Sequence, residues 1–309
     1  MIELIKSPRI DFMGKRYIAF AISAVLVILG ITGIIQISRG KANLGIDFAG
    51  GVAIQLKFEE AFSLSEVRQA LHRAGLADLE LQDIPQERKL IIKIKKKEEE
   101  ISRITESIIG GLRANLPQKR FSIESTTEIG PKVGRRLRND ALYAIAMATA
   151  GILIYIALRF KFRFSLGATI ATFHDVLAIV GIFYLLGKEF NLVVLSALLT
   201  IAGYSLTDTV VVFDRIRENM RTNIKDPIDK LINRSINEVL SRTIITSLTV
   251  LFSALALYLF GGEAIHDFSL AIIIGVIIGT YSSIFVASPV VLAFGGMESG
   301  EGRLNRWRK

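Results

Sequence analysis

Asp208 stands where a carboxylate is costly. It lies in "LTIAGYSLTDTVVVFDRIREN", Leu199 to Asn219, inside an apolar run and six residues before the next charge, Asp214. At 1.5 Å of rise per residue that is roughly 9 Å within the run. If the run crosses a membrane, an aspartate near the centre of such a helix costs about 2.5–3.5 kcal/mol. Protonation, a cation or water must offset the cost. Ser205, Thr207 and Thr209 make a polar patch around it. Arg242 opens the next apolar run, "SRTIITSLTVL", and is expected in the first turn of an antiparallel helix at the same depth. An opposite charge favours the ionised acid and desolvation the neutral one. A carboxylate held between the two can take up and release protons. The alternative is that Arg242 extends its head group to the membrane surface while Asp208 hydrogen-bonds a neighbouring helix.

A second titratable pair, His174 and Asp175 in "FHDV", lies in another apolar run. Adjacent residues sit about 100° apart on a helix and need not face one place. A proton relay near neutral pH and polar packing both remain open for them. Gly275 and Gly279 in "GVIIG" make a GxxxG pattern, which points to close helix packing and no chemistry. In "LGIDFAGG" the residues Gly45, Asp47, Gly50 and Gly51 read as a turn leading into a strand, with glycines for unusual backbone angles. No helix is expected there, so the stretch is not read as a phosphate-binding loop. The chain has no cysteine, and His72, His174 and His266 are scattered, so neither a disulfide nor a zinc site is expected. Walker A, HExxH and GxSxG patterns are missing. The reading is a non-enzyme without metal or cofactor.

The elements that must hold these residues span membranes. Hydrophobic residues make up 51% of 309, with mean hydropathy +0.45, above what soluble domains usually show. Six apolar runs have spanning length: 17–36, 139–158, 165–186, 191–213, 243–261 and 268–294. The first, after a cytoplasmic segment 1–16, is expected to be an uncleaved anchor. The formal charge of +9 is read through topology and not as nucleic-acid binding. Lys6, Arg9, Lys15 and Arg16, the 159–164 loop, the 214–241 loop and the 295–309 tail all carry basic residues and fall on one side. Loops 187–190 and 262–267 hold between them a single Lys or Arg, Lys188. Both termini are therefore expected to be cytoplasmic, with 37–138 outside.

The outer stretch reads as βαββαβ, an α+β ferredoxin-like domain. Val52, Ile54, Leu56 and Phe58 alternate as a half-buried strand. Ser63 and Glu66 suggest a capping box before a helix bearing Val67, Ala70, Leu71 and Ala74. A hairpin is expected around Pro85, with strands near 79–84 and 90–95. Ile101, Ile104, Ile108 and Leu112 mark a second helix, and Phe121, Ile123, Ser125, Thr127 and Ile129 a last alternating strand. "KKKEEE" at 95–100 is read as a solvated strand-to-helix junction. In 214–241, Asp226 is expected to cap a helix with Pro227 in its first position. Its stripe of Ile228, Leu231, Ile232, Ile236, Val239 and Leu240 suits a helix lying on the bilayer. Its basic residues equally suit a role in topology alone.

"GIDFAGG", "GYSLTDTVVVFDRIREN" and "SRTIITSLT", in this order and spacing, resemble the SecF branch of the SecD/SecF protein-export family, over nearly the whole chain. Ala49 stands where many members carry Thr, and Thr207 where many carry Asn. The resemblance implies half of an RND-type transporter in a bacterial inner membrane. It implies pairing with SecD and association with the SecYEG channel, often with YajC, around a translocating unfolded polypeptide and membrane lipid. It also implies use of the proton-motive force late in translocation, with H⁺ as the expected coupling ion and with Asp208 and Arg242 matching the family's transmembrane aspartate and arginine. Two rival readings are a half-size RND-like exporter of lipids or drugs, which would want a larger outer domain, and a membrane scaffold that moves no ion.

Overall fold

The computed structural model describes residues 9–39, 43–76, 79–84, 87–95, 101–222 and 226–295. Lys6, Pro85, Lys225, all of "KKKEEE" beyond Lys95, and the tail from 296 lie outside them. In chain order the first elements are α1 (Arg16–Ser38), α2 (Ile46–Ala49), β1 (Gly51–Phe58), α3 (Leu64–Arg73), β2 (Glu80–Ile84), β3 (Lys89–Ile94), α4 (Ile101–Asn115) and β4 (Phe121–Ile129). Then come α5 (Pro131–Arg159), α6 (Phe162–Leu185), α7 (Leu192–Thr222), α8 (Ile228–Phe260), α9 (Glu263–Ser282), a π-helical turn (Ser283–Ala287) and α10 (Ser288–Gly295). Backbone contacts group Leu44–Ala144 with Glu189–Leu192 as an α/β unit, and the rest as a helical unit.

Within the helical unit lie helices long and apolar enough to cross a membrane; with α5, which contributes to both units, the described residues hold six. Their apolar character has little periodicity because lipid and protein are both apolar neighbours. Glycine decides where backbones meet. A Cβ on Gly30 of α1 would stand 2.2 Å from the Leu177 carbonyl oxygen, and one on Gly181 of α6 would stand 2.6 Å from the Gly30 nitrogen.

The bilayer-surface helix expected within 214–241 is not a separate element. α7 runs on to Thr222, and α8 continues unbroken from Ile228 into the apolar span. No Gly or Pro interrupts Ile228–Phe260, so the backbone ladder has no cause to break where charges give way to apolar residues. Leu231, Ile232, Ile236 and Leu240 pack with Phe12, Met13, Phe164 and Phe213, so the stripe faces protein. Asp226 is not the cap; Pro227 is, and its carbonyl accepts the Leu231 N–H at 3.0 Å.

In the α/β unit the strands run in the order β2-β3-β1-β4, all neighbours antiparallel, which with the βαββαβ succession is ferredoxin-like. Val52, Ile54, Leu56 and Phe58 meet Val67, Leu71, Ile108 and Leu112 in one core. Ser63 caps α3, but through the Ser65 N–H at 3.3 Å and not through the third residue of the helix as a capping box would. The last strand also departs from simple alternation. Pairing jumps from Gln55–Ser125 to Leu56–Ile123, which makes Glu124 an extra residue. Past it, Thr126 and Glu128 stand opposite the core residues Ile54 and Val52.

Candidate functional site

Ser205, Asp208 and Thr209 fall on one face of α7, because residues three and four apart share a face, and all three are buried. Thr207 points the other way; it is exposed and donates to the Gly203 carbonyl at 3.2 Å. Thr209 donates to the Ser205 carbonyl at 3.2 Å and so turns its hydroxyl back onto its own helix. Asp208 is only 5% exposed. Ser247 of α8 faces its Oδ2 at 3.3 Å and meets Thr280 Oγ1 of α9 at 2.7 Å. Thr280 in turn donates to the Val276 carbonyl at 2.8 Å.

Three contacts here share two hydroxyl hydrogens. A neutral Asp208 supplies the third: it donates to Ser247, Ser247 to Thr280, and Thr280 to Val276. An ionised Asp208 accepts from Ser247, and the one remaining hydroxyl hydrogen, on Thr280, goes either to Ser247 or to the Val276 carbonyl. The row is therefore fully bonded only when the acid is neutral, and ionisation leaves one of its three contacts without a hydrogen.

Arg242 does not occupy the place expected for it. It lies well inside α8, not in its first turn, and is exposed. Among the described residues no ion pair joins it to Asp208. The continuous α8 is the reason: the start of the apolar stretch is not the start of the helix. Closer to the end of α7, Asn219 donates to Ser235 at 3.0 Å and to Glu238 at 2.6 Å, and Glu238 also takes Arg215 at 2.7 Å and Arg234 at 2.9 Å. All but the Arg234 bond, which stays within α8, brace α7 against α8.

His174 and Asp175 do meet, which their 100° separation on the helix had left open. His174 Nδ1 is 2.9 Å from Asp175 Oδ1, and Asp175 Oδ2 accepts from Ser205 of α7 and, at 2.7 Å, from Ser282 of α9. Side chains longer than one bond can fold back toward each other across 100°. Gly275 and Gly279 set the α7–α9 approach: added Cβ atoms would lie 2.6 Å from Ile201 Cγ1 and 3.2 Å from Ser205 Cβ. Sequence reading passed over Ser247, Thr280 and Ser282. The available signal was "GTYSS", a polar run straight after the GxxxG pattern.

In the α/β unit "LGIDFAGG" contains the one-turn helix α2, which was not expected. The Gly45 N–H donates to the Phe190 carbonyl at 2.9 Å, and Asp47 Oδ2 accepts the Leu192 N–H at 3.0 Å, a capping bond at the start of α7. Gly50 has φ 78°, and a Cβ on Gly51 would stand 2.1 Å from the Ile94 carbonyl oxygen. The paired glycines thus permit a left-handed turn and then a close β1–β3 start. Residues 41–61 match the SecD/SecF GG motif, and residues 112–297 match the family described as protein export membrane protein SecD/SecF, C-terminal.

The chain belongs to the SecD/SecF family. Among its relatives, protein translocase subunit SecF of Thermodesulfovibrio yellowstonii is 60% identical over 297 residues, 96% of this chain and 98% of the relative. SecF of Calditerrivibrio nitroreducens is 42% identical over 94% of this chain and 96% of that one. Among solved structures, SecDF from Thermus thermophilus, a translocon-associated membrane protein, is similar over 94% of this chain with TM-score 0.81 and 36% identity. SecDF in its super-membrane-facing form gives TM-score 0.69 and 35% identity. This chain spans 39% of the length of each SecDF chain.

Proposed function

We propose that this chain is the SecF subunit of a bacterial protein translocase. It works with a SecD partner beside the SecYEG channel, with YajC as a further associate. Asp208 is the group through which the proton-motive force acts late in translocation. Kinship to SecF at 60% identity supports the subunit reading. Burial of Asp208 in an apolar helix, at the end of a hydroxyl row that is fully bonded only when the acid is neutral, carries the coupling reading. In the inner membrane both termini face the cytoplasm and the α/β unit faces outward, which the basic loops support.

The mechanism has three steps. A proton from the outer side neutralises Asp208 and completes the hydroxyl row. The attraction between Asp208 and Arg242 is released, so α7, α8 and α9 repack. Loss of the proton to the cytoplasm restores the first state. One elementary charge crossing 100 mV is worth about 2.3 kcal/mol, enough to bias a two-state motion roughly fortyfold. No nucleotide is needed in this chain. The test is proton entry: with SecD in vesicles loaded with a pH-sensitive dye, wild type acidifies the lumen under a gradient and Asp208→Asn does not. Equal acidification would assign the flux elsewhere.

A further inference from the structure

Asp175 is fully buried, yet three donors converge on it. Ser205 and Ser282 donate to Oδ2, and His174 Nδ1 faces Oδ1. Three donors on two oxygens suit an ionised carboxylate. For Nδ1 to donate, the neutral imidazole must carry its hydrogen there and present a lone pair at Nε2. His174 is 3% exposed, and among the described residues Nε2 is buried without a hydrogen-bond partner. Nε2 has no partner with or without a hydrogen, so the cost that a proton there removes is that of the buried negative charge. A proton on Nε2 cancels the charge.

We propose that His174 and Asp175 form a second proton-holding site in the helical unit, separate from Asp208, in which the imidazole takes the proton at Nε2. One proton arrives from water, no covalent bond other than the new N–H changes, and the pair passes from −1 to neutral. The titratable groups around the pair are few. From α9 comes Tyr281, its ring 6.2 Å from the imidazole and its hydroxyl engaged by the Ala19 carbonyl and Ser23. From α7 comes Asp208, one turn beyond Ser205 on the same face. α1 offers the Ser23 hydroxyl and, between Tyr17 and Ser38, no charged residue. Because Ser205 and Ser282 sit on the helices that carry Asp208 and Thr280, a charge change at Asp175 reaches the helices of the first site without contact with it.

This inference goes beyond the Asp208 reading and does not rest on it. The chain has three histidines, so ¹⁵N-imidazole solid-state NMR of the full chain with SecD in lipid bilayers can isolate His174, using His174→Gln for assignment. The expected result is a neutral Nδ1–H tautomer at mildly alkaline pH that gains a proton at Nε2 on acidification. Asp175→Asn weakens proton binding about tenfold or more, by removing the opposite charge. Ser282→Ala strengthens it severalfold, by removing a hydroxyl that shares that charge, and it decides alone if the asparagine variant does not assemble. Asp208→Asn leaves the titration in place, whatever it does to transport. A His174 that stays neutral throughout, or a midpoint that neither Asp175→Asn nor Ser282→Ala moves, would overturn the proposal and leave the pair a helix tie.

Discussion

Ser247 on α8 faces the Asp208 carboxylate on α7 at 3.3 Å, and the same hydroxyl meets Thr280 on α9 at 2.7 Å. One serine thus links the buried acid to both neighbouring helices, a place where a change of protonation becomes a change of packing. A hydrogen bond to a charged group is worth about 1.5–3 kcal/mol. Ser247→Ala should therefore cut gradient-driven translocation roughly ten- to a hundredfold. Ser247→Thr, which keeps the hydroxyl, should stay near wild type. ATP-driven translocation by the channel, measured in parallel, should be alike in all three.

Among the described residues Arg242 makes no fork of bonds to the Asp208 carboxylate, so in the proposed mechanism it acts by charge alone. Arginine and lysine differ most where a bidentate bond is made, and here none is. Arg242→Lys should keep most gradient-driven activity, while Arg242→Gln should lose about tenfold, the effect of one opposite charge on a carboxylate. The transport assay that reads Ser247→Ala reads both.

Much of this architecture was legible and some was not, for physical reasons. Apolar runs of bilayer length and strict alternation in β1 are strong signals, because each follows from burying one kind of surface. Asp208 stood out for the same reason, as a charge in an apolar run. The join between α7 and α8 was misread because charge marks a membrane edge and does not mark a helix end; the absence of Gly and Pro from Ile228–Phe260 was the better guide. The partners Ser247, Thr280 and Ser282 stayed hidden because serine and threonine are common in such helices, and their value depends on which helices pack together. The bulge at Glu124 depends on pairing with β1, which a single strand's pattern does not contain.

Two glycines of the α/β unit should respond with opposite sign. Gly51 has φ 148° and no room for a Cβ against Ile94, so Gly51→Ala should destabilise the unit by about 1–3 kcal/mol. Gly110 lies within α4 with nothing within 4 Å of an added Cβ, so Gly110→Ala should stabilise by about 0.5–1 kcal/mol. Limited proteolysis of the full chain over a temperature series should order them Gly110→Ala, wild type, Gly51→Ala.

The segment before α1 is pinned by a titratable group. Asp11 Oδ1 accepts the Gly14 N–H at 2.9 Å and Asn233 Nδ2 at 2.7 Å, and these two bonds hold its carboxyl below the usual range. A folded-state value lowered in this way stabilises the docked segment above the ordinary carboxylate pKa, and the effect fades as pH falls through the lowered value. Hydrogen exchange at the Gly14 amide should stay slow at neutral pH and quicken, beyond the intrinsic pH trend, only in strong acid. Asp11→Ala should exchange fast at both.

The central claim is that a proton must visit Asp208. The most direct test reconstitutes the chain with SecD and SecYEG, lets translocation of a preprotein stall by exhausting ATP, and then imposes a proton gradient. Wild type should complete transport, and Asp208→Asn, assembled to the same level, should not. Equal completion by both would contradict the account and leave Asp208 as a polar contact between helices.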